Sequence, residues 1–104
     1  MGGVIPPYTL KEGEIMKQIK KIDNTGFITN SAQPILNSVR FFPKSDSDEL
    51  TIYDSNIGPV YGEDIAHLDK AHPTIDFGVR GKRCTKGLYA FKPRGGYFYA
   101  DWDN

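Results

Sequence analysis

The chain of 104 residues is long enough for one domain with a modest hydrophobic core. Its 38% hydrophobic content, 11 glycines and 7 prolines favour short strands joined by turns over long helices. With 13 basic and 13 acidic side chains the net charge is zero, so the chain lacks the overall positive charge typical of nucleic-acid-binding proteins.

The single cysteine, Cys84, excludes an internal disulfide and a multi-cysteine zinc site. No apolar run approaches the ~20 residues of a membrane span, and no pattern typical of a secretory signal is seen. We therefore expect a soluble protein that is made in a reducing cytoplasm and has no membrane partner.

Residues 1–13 read MGGVIPPYTLKEG, a composition that suits neither a helix nor a regular strand. The Pro6-Pro7 pair favours an extended polyproline conformation. We predict an extended N-terminal arm, followed by a single β domain over residues 14–104. The arm is expected either to fray, as termini commonly do, or to lay its apolar side chains on a neighbouring subunit. These side chains are Val4, Ile5, Tyr8 and Leu10.

Three strands are predicted in the first part of this domain. Residues 15–22 carry isoleucines at helical spacing, but the segment is short and β-branched, which favours a strand. The sequence DNTG over residues 23–26 predicts a turn, since Asn and Gly adopt positive φ readily, and residues 27–29 form the next strand. Residues 34–42 form the third, with its apolar face interrupted at Asn37. That strand places Ile35, Val39 and Phe41 on one face and Ser38 and Arg40 on the other.

The middle of the chain predicts a hairpin and then an ambiguous segment. Residues 49–54 place Leu50 and Ile52 on one face, and a loop with Gly and Pro separates them from a return strand at residues 60–61. Residues 63–72 fit a short helix and a strand equally well, and the following proline ends either one.

The C-terminal third of the chain shows the clearest alternation. Residues 74–79 and 87–91 predict strands, the sequence PRGG over residues 93–96 predicts a hairpin turn, and residues 97–102 form the last strand. That strand is apolar on both faces, so we expect it to be covered on both sides, with another subunit as a candidate cover. Within residues 74–79 the predicted inward side chains are Ile75, Phe77 and Val79.

Seven or eight short strands at this spacing predict an all-β fold, namely a small antiparallel β-sandwich or barrel. No motif typical of a serine hydrolase, a zinc protease, a P-loop or a dinucleotide site occurs in the sequence. We expect no enzymatic activity and no cofactor.

His67 and His72 are the candidates for acid–base or metal chemistry. Their spacing of five residues points them to different faces of either a helix or a strand. Because a metal site needs three or four converging ligands, we interpret them as solvated loop histidines and expect no bound metal. The carboxylates closest to them in the sequence are Asp64, Asp69 and Asp76.

Residues 80–94 form a basic stretch without an acidic side chain. Its rings, Tyr89 and Phe91, together with Tyr97 and Tyr99, could make a platform for single-stranded nucleic acid, which combines positive charge with aromatic stacking. However, Tyr89 and Phe91 share one strand face, and we predict that this face is core. The cations then lie in loops and are candidate protein-contact residues. They are Arg80, Lys82, Arg83, Lys86, Lys92 and Arg94.

An acidic group precedes the basic stretch in the chain. Such separation of charge suits head-to-tail packing of copies at least as well as it suits nucleic-acid binding. The acidic residues are Asp46, Asp48, Glu49 and Asp54.

The run LTIYDS at residues 50–55, the glycine loop and Val-Tyr pair after it, and IDFGVRGKRCTKGLYAF at residues 75–91 resemble a pattern in small virion proteins of tailed bacteriophages. In that family a strand of the type VTIYD precedes a glycine loop, and a strand pair containing KGLY follows. The arm and the basic insertion at residues 81–84 depart from the pattern. The residues that carry the resemblance, within residues 34–102, are Leu50, Ile52, Tyr53, Asp54, Phe77, Gly78, Gly87, Leu88 and Tyr89.

The resemblance implies a compact β-sandwich that acts structurally, as an oligomer attached to the capsid, neck or tail. We therefore expect a non-enzymatic virion protein, assembled in the host cytoplasm, whose partners are copies of itself and other virion proteins. One alternative is a nucleic-acid-binding β module that uses residues 80–94, although nucleic acid is the less favoured partner. A second alternative is a small nuclease or toxin domain that uses His67 or His72 with a carboxylate.

Overall fold

The structure is a computed structural model that describes residues 17–29, 31–58 and 62–104. This part of the chain contains nine strands and no helix, which confirms the predicted all-β fold. The predicted N-terminal arm and the return strand at residues 60–61 lie outside the described residues. The strands are β1 (Lys17–Ile22), β2 (Gly26–Thr29), β3 (Ile35–Phe42), β4 (Glu49–Asp54), β5 (Glu63–Asp69), β6 (Thr74–Asp76), β7 (Lys82–Arg83), β8 (Leu88–Phe91) and β9 (Tyr97–Asp103).

The strands form two antiparallel sheets. One is five-stranded, in the order β1-β9-β3-β6 with β7 also paired to β3, and the other is four-stranded, in the order β2-β8-β4-β5. The chain is arranged as one long antiparallel hairpin that folds over on itself. Its two arms pair as β1·β9, β2·β8, β3·β6 and β4·β5, and the folding adds the pairs β3·β9 and β4·β8, which complete two Greek keys. This is the strand order of a jelly roll, with β7 added between β6 and β8.

The hydrophobic core lies between the inner faces of the two sheets. Alternation along β4 places Leu50 and Ile52 inward, as predicted. The segment at residues 63–72, which fitted a helix and a strand equally well, contains the strand β5, which pairs with β4. β9 lies inside the five-stranded sheet, between β1 and β3, and contributes the rings of Phe98 and Trp102. The core residues are Ile28, Leu36, Val39, Phe41, Leu50, Ile52, Ala66, Leu68, Cys84, Leu88, Ala90, Phe98, Ala100 and Trp102.

A bulge in β3 changes the predicted inward face of that strand. The pairing of β3 with β9 shifts by one residue between Leu36 and Ser38, so Asn37 is the extra residue. Leu36 is therefore fully buried, whereas Ile35, which was predicted to face inward, is only half-buried. An extra residue exchanges the two faces of a strand on one side of the bulge.

The strand predicted over residues 74–79 ends at Asp76, and Val79 is fully exposed instead of buried. The Asp76 carboxylate accepts a hydrogen bond of 2.8 Å from the Gly78 N–H, and Gly78 adopts a φ of +82°. The Gly81 N–H then donates to the Gly78 carbonyl. This side chain-anchored turn takes the chain away from the sheet before it reaches Val79.

Tyr89 and Phe91 lie on the outer face of β8, which corrects their prediction as core. Leu88 and Ala90 are fully buried on the opposite face. The sequence LYAF is apolar on both faces, so alternation alone could not tell which one points inward.

Residues 93–96 do not form the predicted hairpin, because β8 and β9 belong to different sheets. The segment instead crosses from one sheet to the other. The Gly95 N–H donates to the Asp48 carboxylate at 3.2 Å, and Gly96 has a φ of +89°. β9 buries Phe98, Ala100 and Trp102, while Tyr99 on its outer face is 41% exposed, so nothing within the described chain covers both sides of this strand.

Gly96 and Gly78 provide a matched pair for testing the crossing segment. A Cβ at Gly96 would lie 2.7 Å from the Phe42 carbonyl oxygen, whereas one at Gly78 would meet nothing within 4 Å. Both glycines have similar positive φ values. We expect Gly78→Ala to lower the free energy of unfolding by about 1 kcal/mol and Gly96→Ala by about 3 kcal/mol, measured by urea denaturation. Equal losses would mean that the close approach at Gly96 is unimportant.

Candidate functional site

The basic loop at residues 80–86 is fixed at the edge of the five-stranded sheet. Lys82 and Arg83 form β7, which pairs with the start of β3, and the Cys84 N–H donates to the Pro34 carbonyl at 2.8 Å. Lys82 is half-buried, while Arg80, Arg83 and Lys86 are exposed. The loop therefore presents cations at one end of the sandwich.

The carboxylate of Asp54 holds the end of this loop. It accepts hydrogen bonds from the backbone N–H groups of Thr85 at 2.9 Å, Lys86 at 2.8 Å and Gly87 at 3.3 Å, and from the Thr85 hydroxyl. Burial raises the pKa of Asp54, but the backbone hydrogen bonds outweigh it and bring the pKa below its ordinary value. A residue of the predicted acidic group is thus an internal anchor.

The second basic segment lies at the other end of β8. Lys92 is buried, and its ammonium donates to the Arg94 carbonyl at 2.7 Å. Its backbone exchanges two hydrogen bonds with the Thr25 hydroxyl. Of the two cations in this segment, only Arg94 is exposed. The fold therefore separates the cations of residues 80–94 into two groups and does not assemble them into one platform.

Asp48 fixes the loop at this end of the sandwich, as Asp54 fixes the basic loop at the other end. Its carboxylate accepts hydrogen bonds from the N–H groups of Lys44 at 2.7 Å, Ser45 at 2.9 Å and Gly95 at 3.2 Å. Asp48 and Asp54, two of the four residues of the acidic group, therefore make hydrogen bonds inside the structure, whereas Asp46 and Glu49 are exposed.

His67 lies between a hydroxyl and a carboxylate on the outer face of the four-stranded sheet. Its Nδ1 is 3.0 Å from Thr51 Oγ1, and its Nε2 is 3.3 Å from Glu49 Oε1. Thr51 and His67 are paired across β4 and β5, so the fold brings them together. An imidazole in this position can hydrogen-bond to both neighbours at once.

His72 contacts a different carboxylate, that of Asp69, at 3.4 Å. The two histidines therefore do not form one site. Within residues 17–29, 31–58 and 62–104, no three His, Cys, Asp or Glu side chains lie close enough together to hold a metal ion. A shallow depression connects the two histidine regions, and it is lined by Asp46, Glu49, His67, Asp69, Lys70 and Ala71.

Exposed aromatic side chains on the outer faces are the feature that the sequence analysis missed. On the four-stranded sheet, Phe27 packs edge-to-face on Tyr89 at 5.0 Å between ring centroids. Phe27 and Phe91 remain 46% and 39% exposed. On the five-stranded sheet, Phe42 stacks on Tyr97 at 4.9 Å. The two-sided apolar pattern of LYAF and YFYADW was the available signal.

The fold thus defines a small jelly-roll β-sandwich with aromatic outer faces and a basic loop at one end. No model of a known protein family matches the chain, and a search of curated proteins finds no similar sequence. Where the chain is described, it has no helix long and apolar enough to cross a membrane.

Asp54 gives a test of the loop anchor. We expect Asp54→Asn to lower the free energy of unfolding by about 2 kcal/mol at pH 7, because the amide nitrogen cannot accept the hydrogen bonds made to one of the two carboxylate oxygens. A lowered pKa means that this contribution is present at neutral pH and is lost as the pH falls below about 4. Urea denaturation at pH 7 and pH 3 should therefore show a smaller difference from wild type at pH 3. Asp64→Asn, at an exposed carboxylate on β5, is the control and should change stability little.

Cys84 is expected to be chemically inert in the folded protein. Burial, assisted by the Asp54 carboxylate, raises the pKa of this thiol from 9.0 to about 12. Three pKa units reduce the thiolate fraction about a thousandfold. Reaction with a thiol reagent at pH 8 should be very slow in native protein and fast in urea. Rapid native labelling would show that this part of the core opens readily.

Proposed function

We propose that the protein is a non-enzymatic structural component of a virion, which oligomerises or docks on capsid, neck or tail proteins. The observation that carries this proposal is the aromatic outer face of the four-stranded sheet. Phe27, Tyr89, Tyr53 and Phe91 are neighbours in the strand register of this face. Clustered exposed rings are typical of surfaces that bind other proteins.

The surroundings of this aromatic face also suit a protein interface. His67 and Glu49 lie at its edge on β5 and β4 and are exposed. Interfaces commonly have an aromatic centre that loses water on binding and a polar rim that stays hydrated. Buried rings would supply the affinity, and the rim would supply the orientation.

The fold and the sequence pattern support the class of protein without defining the partner. Jelly rolls occur in viral capsid domains, and also in lectins and cupins. Leu50, Ile52 and Leu88, which carry the resemblance to phage virion proteins, are core residues. Gly78 and Gly87 from the same pattern adopt positive φ in turns. These residues therefore have structural roles in the sandwich, and the partner is proposed from the surfaces.

The exposed cations of the basic loop remain candidate contacts at one end of the sandwich. Arg80, Arg83 and Lys86 project there, whereas Asp46 and Glu49 lie at the opposite end of β4. Glu63 and Asp64 are exposed at the same end as the loop, and Lys70 pairs with Asp46 at the other end, so both ends offer charges of either sign for contacts with neighbouring subunits.

Incorporation into particles tests the proposal. Phe27→Ser/Phe91→Ser should leave the fold intact, because both rings are partly exposed, and should remove the protein from purified virions. Ile57→Ser is the matched control, since Ile57 is also exposed, at 66%, but lies in a loop away from this face. We expect wild type and Ile57→Ser to be found in virions by mass spectrometry at a constant ratio to the major capsid protein.

The proposal fails if wild-type protein is produced during infection but is missing from purified virions. If the double variant is incorporated as well as wild type, the virion role stands and the aromatic face is not the docking surface. Urea denaturation of both variants shows that any loss of incorporation comes from the surface, since we expect the double variant to lose about 2–3 kcal/mol, from the partly buried area of two rings and the Phe27–Tyr89 contact, and to stay folded.

A further inference from the structure

The outer face of the five-stranded sheet carries its side chains in rows that run across the strands. The register pairs Lys21 with Tyr99, Tyr99 with Arg40, and Arg40 with Thr74. Residues paired in this way point to the same face of a sheet. We call this set, which contains two cations and two hydroxyls, the cation row.

A second row lies two residues along each strand, about 7 Å away. Here Asp101 of β9 pairs with Ile19 of β1 and with Ser38 of β3, and Ser38 pairs with Asp76 of β6. We call this set the acid row. Its carboxylates are held in position, because Asp101 accepts from the Asn37 amide at 3.2 Å and Asp76 from the Gly78 N–H at 2.8 Å.

We propose that this face binds the same face of a second copy of the chain, an inference that rests on the proposed structural function and names its self-association surface. A two-fold axis in the plane of the interface, parallel to the rows and midway between them, turns one copy onto the other. It places the cation row of each copy on the acid row of its partner. A surface with parallel rows of opposite charge is therefore complementary to itself.

Arg40 has the central position in this arrangement. The two-fold operation places it opposite Ser38 of the second copy, which lies between Asp101 and Asp76 in the acid row. Neighbouring strands are about 4.8 Å apart, so a guanidinium at this point can reach both carboxylates of the second copy. The same operation places the Tyr99 hydroxyl opposite Asp101 and the Thr74 hydroxyl opposite Asp76, as donors facing acceptors.

Apolar surface and ordered side chains support the same face. Ile19 is 66% exposed and Tyr99 is 41% exposed, so apolar area is available for burial. The Lys21 ammonium lies 4.5 Å above the Tyr97 ring, and the Arg40 guanidinium lies 5.7 Å from the Phe42 ring. These contacts reduce the freedom of both cations before binding, which lowers the entropic cost of association.

A single-stranded nucleic acid is the competing occupant, because rings beside cations can bind bases and phosphates. The acid row argues against it. Asp101 and Asp76 lie about 7 Å from the cation row and would repel a phosphate backbone that crosses the face. A second copy uses both rows, so the charges favour it.

Two complementary variants test the interface. Lys21→Glu/Arg40→Glu makes both rows acidic, and Asp76→Asn/Asp101→Asn leaves only the cations while keeping carbonyl oxygens that can accept the Asn37 and Gly78 hydrogen bonds. We expect wild type to be a dimer by sedimentation equilibrium. Each variant alone should dimerise about tenfold or more weakly, since like charges face each other in the first variant and the cations lose their acidic partners in the second. An equal mixture of the two should recover the dimer mass.

Glu63→Lys/Asp64→Lys is the control, because it reverses two exposed charges on β5 of the other sheet and leaves this face unchanged. This control should keep the wild-type dimerisation constant. Raising the salt concentration should weaken the wild-type dimer, because exposed charges are screened. Arg40→Lys keeps the charge at the central position and should retain most of the dimer. That result would show that the loss in the Arg40→Glu variant comes from its charge and not from misfolding.

The outcomes separate this interface from the proposed function. A wild-type dimer whose mass is unchanged in both face variants would overturn this surface and leave the virion role intact. A strictly monomeric wild type would overturn self-association at this face, while incorporation into particles would still decide the virion role. A monomer that binds single-stranded DNA through Lys21 and Arg40 would assign the face to nucleic acid instead.

Discussion

Two carboxylates, one at each end of β4, hold the loops of this small sandwich in place. Asp48 comes directly before the strand and accepts from Gly95, just after β8. Asp54 ends the strand and accepts from residues 85–87, just before β8. Because β4 and β8 are neighbours, both connections of β8 are tied to the strand beside it. The segment that crosses from β8 to β9 depends on these hydrogen bonds, since buried backbone N–H groups need acceptors. The position of β9 inside the other sheet depends on them as well.

This use of carboxylates changes the meaning of the charge pattern in the sequence. Asp48, Asp54 and Lys92 are buried and bonded within the chain. Much of the apparent separation into acidic and basic regions therefore reflects how loops are fixed and not how a partner is bound. The charges that remain at the surface are arranged by register, which joins residues far apart in the sequence.

The sequence predicted the strands well and their faces only where one face was polar. Residues 49–54 show a simple alternation, and Leu50 and Ile52 are buried as predicted. Where both faces of a strand are apolar, as in β8 and β9, packing between the sheets determines which face points into the core, and the local sequence pattern does not. The bulge at Asn37 depends on pairing with β9 and could not be read from β3 alone. The two charged rows were likewise hidden, since they exist only once β1, β9, β3 and β6 lie side by side.

The two outer faces pose different physical problems. The four-stranded sheet exposes rings without charge at its centre, and apolar contact of this kind gives affinity but little orientation. The five-stranded sheet adds rows of charge to its rings, and these rows match a second copy in one orientation only. A shift by one row in one direction brings cations onto cations, a shift in the other direction brings acids onto acids, and either costs free energy. Paired charges around exposed rings thus limit the contacts that an apolar sheet face can make. A protein with two aromatic faces needs such a limit if it is to assemble in one way.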